Sequence, residues 1–81
     1  MIQVLFFAGY RERLGCDRLE LDSSASNISE LKEELAERGD NWKTVLLDRK
    51  TLVAVNQTMT KDSAALKDGD EVAFFPPVTG G

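Results

Sequence analysis

Ile2, Val4 and Phe6 alternate with Gln3, Leu5 and Phe7 near the start of the chain. That period of two predicts a β-strand over residues 2–8. Both sets are largely apolar, so the strand is expected in the middle of a sheet or with one face covered by a partner. Residues 10–14, Tyr-Arg-Glu-Arg-Leu, read as a short helical turn ended by Gly15. Alternation resumes over residues 17–22, a second strand with Leu19 and Leu21 inward.

The period then changes. Ile28, Leu31 and Leu35 recur at i, i+3 and i+7, one apolar stripe of a helix, with Lys32, Glu33, Glu34 and Glu37 toward water. Asn27 is placed to cap that helix and Glu30, three residues on, to complete a capping box. Gly39 stands where a C′ glycine ends a helix. Residues 40–48 predict a second, shorter helix anchored by Trp42 and by Val45 or Leu46. A strand follows with Val53 and Val55 inward and a bend near residues 56–57. A turn at Asp68 and Gly69 leads to the last strand, where Val72 and Phe74 share one face and Glu71, Ala73 and Phe75 the other.

The order strand, strand, helix, strand, strand implies an α+β sandwich whose mixed sheet is covered on one face by a helix. The β-grasp, or ubiquitin-like, arrangement is its natural form, with first and last strands adjacent in mid-sheet. Val4, Phe6, Val72 and Phe74 then face the helix, and Leu5, Phe7 and Phe75 lie on the open face. Residues 1–75 make this domain, and residues 76–81 make a flexible Gly-Gly tail.

Size and charge narrow the function. At 81 residues the chain has room for one core. One cysteine makes no internal disulfide, and a chain without histidine is a poor zinc ligand set. The net charge of -4, from 14 acidic and 10 basic residues, argues against a phosphate-backbone footprint, so nucleic acid is not expected as a partner. The apolar start lacks a preceding basic stretch and is too short to span a bilayer. It reads as a strand, and the expected setting is the cytoplasm, without a membrane.

Proton- and electron-moving groups are scarce. Without histidine there is no Ser-His or Cys-His nucleophile pair. Gly9 and Gly15 are isolated and form no nucleotide-binding fingerprint. The Asp68-Gly69-Asp70 stretch reads as a turn, because it lacks calcium-loop spacing. Cys16 lies near Arg11, Arg13 and Arg18 in sequence, yet nothing is evidently arranged to activate it, and it reads as a small turn residue. Phe7 and Phe75, with Met59, form a candidate apolar patch on the uncovered face, the mark of a protein interface unless the second helix covers it.

That leaves the terminal carboxylate of Gly81, ionised at neutral pH with an ordinary pKa of about 3.3–3.7. As an anion it resists nucleophiles until another enzyme activates it. Gly80 and Gly81 carry no side chains to block a narrow channel, and Pro76 and Pro77 stiffen the root of the tail. Extended from Pro77 to Gly81, the tail reaches at most roughly 17 Å, enough to enter a neighbour's active site.

The stretches MIQVLFFA, AVNQ and DGDEVAFFPPVTGG resemble the small, sulfur-carrying subunit of molybdopterin synthase, over essentially the whole chain. The resemblance implies that an adenylyltransferase related to the ubiquitin-activating enzymes uses ATP to adenylate Gly81. A sulfur donor protein then makes the thiocarboxylate. It further implies a large subunit that holds the pterin precursor, performs catalysis and forms a heterotetramer of two small and two large chains. Val78, Thr79 and Gly80 thread its channel, and Phe7, Arg11, Met59, Phe75, Pro76 and Pro77 form the docking surface. The small chain holds no cofactor or metal stably and is not an enzyme on its own. A carrier for thiamine thiazole synthesis and a ubiquitin-like modifier of lysines are the alternatives.

Overall fold

The computed structural model describes residues 1–77. The chain runs β1 (Ile2–Phe6), α1 (Gly9–Leu14), β2 (Arg18–Leu21), α2 (Ile28–Ala36), α3 (Asp40–Leu46), β3 (Leu52–Val55), β4 (Thr58–Thr60) and β5 (Glu71–Phe75). The strands form one mixed sheet in the order β2-β1-β5-β3-β4. β1 and β5 are parallel neighbours at its centre, with Val4 opposite Val72 and Phe6 opposite Phe74. This is the expected β-grasp. Ile2, Val4, Phe6, Val53, Val72 and Phe74 point to one side and are buried under Ile28, Leu31 and Leu35 of α2 and Val45 and Leu46 of α3. Trp42 meets Phe6 edge-on at 5.4 Å between ring centres, and Phe6 stacks on Phe74 at 5.9 Å.

Several local expectations need correction. β1 stops at Phe6 because Ala8 takes φ 54° and ψ -136°, outside the extended region, and turns the chain into α1. The bend at residues 56–57 is a hairpin turn, and it adds a fifth strand, β4. Asn56 and Gln57 both have positive φ, 50° and 70°, as a two-residue turn with hairpin twist requires. Asn56 is fastened to β5: its Oδ1 accepts from the Glu71 N–H at 3.0 Å, and its Nδ2 donates to Asp70 Oδ1 at 3.0 Å.

The N-terminus of α2 shows how the fold accounts for free backbone donors. Ile28 N–H donates to the Ala64 carbonyl at 3.1 Å and Ser29 N–H to the Asp62 carbonyl at 2.9 Å. Glu30 N–H donates to Asn27 Oδ1 at 2.9 Å. The first-turn donors that a helix leaves open are thus occupied, two of them by the segment that returns from β4. The box closes one residue early, since Glu30 Oε1 accepts from Ser26 N–H at 2.8 Å. Lys32 was expected in water and is instead buried, its Nζ 2.8 Å from Asp62 Oδ1 on the same returning segment. Gly39 does not end α2, which caps at Glu37; it is the N-cap of α3.

Candidate functional site

Strand register builds the open face. Leu5 pairs with Arg18 on one side and Ala73 on the other, Ala73 with Ala54, and Ala54 with Met59. Directly opposed residues share a face, so Arg18, Leu5, Ala73, Ala54 and Met59 form one row across the sheet. The next row toward the end of β5 pairs Phe75 with Leu52. Phe7 N–H donates to the Phe74 carbonyl at 3.2 Å, which keeps Phe7 beside that end of β5. In the opposite direction the row of Gln3, Glu20 and Glu71 is polar.

The open face therefore grades from polar at the start of β1 and β5 to apolar where β5 gives way to half-buried Pro76 and Pro77. The Met1 ammonium pairs with Asp68 at the polar end. Their hydrogen bond raises the pKa of the ammonium and lowers that of the carboxyl.

Phe7 is 46% exposed and Met59 55%, high values for large apolar side chains. Arg11, exposed on α1, joins Leu5, Phe7, Asp17 and Arg18 around a shallow groove. Phe7, Phe75, Pro76 and Pro77 thus gather at the root of the tail, with Arg11 beside Phe7. Met59 shares the face but lies on the edge strand, beyond β3. Val78, Thr79, Gly80 and Gly81 lie outside the described residues.

Leu52, Ala54 and Arg18 complete the face and were not singled out from sequence. Their signal was the β3–β5 and β1–β2 register, which local alternation does not set. The exposed Leu47, in a groove with Ala36, Glu37 and Lys43 between α2 and α3, was also missed.

Cys16 is half-buried and its Sγ donates to the Arg18 carbonyl at 3.3 Å. Among the described residues no three His, Cys, Asp or Glu side chains are grouped to hold a metal. Nor, among the described residues, is any helix long and apolar enough to cross a membrane. What the described residues offer is an open sheet face, graded from polar to apolar, with the chain leaving from its apolar end.

The ThiS family model matches residues 4–81. Molybdopterin synthase sulfur carrier subunits from Haemophilus influenzae and Escherichia coli are 48% and 49% identical, each over 81 residues and all of both chains. A solved protein–protein complex of subunits 1 and 2 of molybdopterin-converting factor from Helicobacter pylori contains a chain that superposes with a TM-score of 0.69. It is 27% identical, covering 99% of this chain and 97% of that one.

Proposed function

We propose that this chain, which belongs to the ThiS family and within it to the molybdopterin synthase sulfur carrier subunits, carries sulfur as a thiocarboxylate on Gly81. The observation that carries the reading is full-length identity to the two bacterial carrier subunits, 48% and 49%. The apolar end of the open sheet face, at the root of the tail, supports it, because a carrier must dock firmly while leaving its terminus free to enter a channel.

The chemistry follows from the weakness of a carboxylate as an electrophile. An adenylyltransferase related to the ubiquitin-activating enzymes removes that obstacle. A carboxylate oxygen of Gly81 attacks the α-phosphorus of ATP, pyrophosphate leaves, and a mixed anhydride forms. A sulfur donor protein delivers sulfur at the sulfide level to the acyl carbon, a C–S bond forms as the C–O bond to the phosphate breaks, AMP leaves, and the terminus becomes a thiocarboxylate. ATP is the activating enzyme's substrate and is not held by this chain.

The loaded tail then enters the large subunit, where Val78, Thr79 and Gly80 line the passage. Sulfur passes to the pterin precursor, the carboxylate returns, and two loaded carriers serve each dithiolene. Catalysis belongs to the large subunit, so this chain is a non-catalytic, sulfur-donating partner. Two carriers sit at opposite ends of a dimer of large subunits, in the cytoplasm.

The test is a reaction of the purified thiocarboxylated chain with the large subunit and pterin precursor, without ATP. Loss of one thiocarboxylate per sulfur incorporated is expected. Product formed with the thiocarboxylate intact would contradict the reading.

A further inference from the structure

We propose that Tyr10 and Thr51 are positioning residues, a buried hydroxyl tether that holds α1 in the arrangement onto which the carrier's partners dock; this rests on the carrier reading. The need for a tether is physical. α1 has six residues, whereas isolated helices shorter than about 12–15 residues are marginal in water. Its N-cap residue, Ala8, makes no side-chain cap and takes φ 54°, a conformation that a Cβ disfavours. Gly15 caps its C-terminus in the left-handed conformation, with a backbone bond to the Arg11 carbonyl, but a helix this short with such a start still depends on tertiary contacts.

Tyr10 is the buried residue of α1. Its hydroxyl lies 2.8 Å from Thr51 Oγ1, and Thr51 Oγ1 donates to the Val45 carbonyl at 2.7 Å. A hydroxyl has one hydrogen. Thr51 spends its own on Val45, so Tyr10 is the donor to Thr51. Both residues are 6% exposed, and the relay joins α1 to the end of α3 and the approach to β3. Such a satisfied network, away from water, favours one arrangement over its neighbours.

α1 also touches β5, the strand from which the tail leaves. The next residue along α1 is Arg11, which shares a groove with Phe7. Loosening the tether spreads α1 over arrangements of which a fraction can dock. Apparent affinity falls by that fraction, while the chemistry at a remote terminus, once docked, is untouched.

The experiment measures binding of the full chain to the large subunit, and KM and kcat for its adenylation, well below every variant's melting midpoint. Tyr10→Phe removes the donor while leaving the Thr51–Val45 bond. It is expected to raise Kd and KM about two- to threefold, below the roughly fivefold ceiling that one net hydrogen bond sets, with kcat retained. Thr51→Val should do the same, at a larger cost in Tm because it orphans the Val45 carbonyl. Thr51→Ser, which keeps the hydroxyl, should match the wild type. A lower Tm with unchanged Kd would mean a merely structural bond and would overturn the inference. So would a fall in kcat at constant KM, or a Thr51→Ser variant as weak as Thr51→Val. Failure of the wild-type chain to bind would instead overturn the carrier reading, and the inference with it.

Discussion

Phe75 sits at the apolar end of the open face, where the proposed docking surface meets the tail, paired with Leu52 and half-buried. Its replacement by alanine is expected to weaken both the large-subunit and the activating-enzyme complexes about tenfold, roughly 1.4 kcal/mol each. Parallel calorimetric titrations would check this, and a loss confined to one partner would show that the two use different surfaces. Lys32 makes a different point. Its ammonium is buried against a carboxylate that is itself 57% exposed, so the pair is worth less than a fully buried one. Asp62→Ala, which strands the charge, should cost about 1 kcal/mol in urea unfolding, whereas Lys32→Met, which keeps the stem and drops the charge, should be near neutral. Nothing in the local pattern around Lys32 announces this, because its partner returns from β4, thirty residues on. The exposure of Phe7 was legible, since the alternation leaves it on the uncovered side, and the structure sets it just past β1.

At the scale of the element, strong periodicity was easily read and turn geometry was not. α2 followed from the stripe of Ile28, Leu31 and Leu35 and from the Asn27 cap, all of which the structure bears out. β4 went unseen because Asn-Gln is a weak signal for a turn that needs two positive φ values, and the compensation comes from Asn56 bonding to Asp70 and Glu71. Gln57, at φ 70°, makes no such side-chain bond among the described residues and carries the strain of a Cβ in the left-handed region. Gln57→Gly should therefore stabilise the protein by about 0.5–1 kcal/mol, seen as a higher Tm with the hairpin register retained. A lower Tm would mean that the glutamine side chain makes a compensating interaction. Gly39 was misassigned for a related reason: one glycine between two helical patterns serves the end of one or the start of the next, and composition alone does not choose.

For the molecule as a whole, the central pairing of β1 with β5 was readable because the element order suggests a β-grasp, whose first and last strands are mid-sheet neighbours, and the largely apolar alternation of β1 suits that place. The order of the outer strands, and hence the full extent of the open face, waited on register. The resulting object has two unlike sides, a helix-covered core and an open face that becomes apolar toward the tail. Two partners that use this face in turn must exclude one another, so an excess of large subunit should inhibit adenylation competitively, raising KM without lowering kcat. Simultaneous binding would contradict a shared face.

The central claim is that Gly81 carries sulfur. Intact mass spectrometry of the chain after incubation with ATP, a sulfide source and the activating enzyme tests it most directly. The account predicts a species in which one oxygen is replaced by sulfur and which is lost when Gly81 is deleted. An unchanged mass, with the same enzyme active on another carrier, would contradict it.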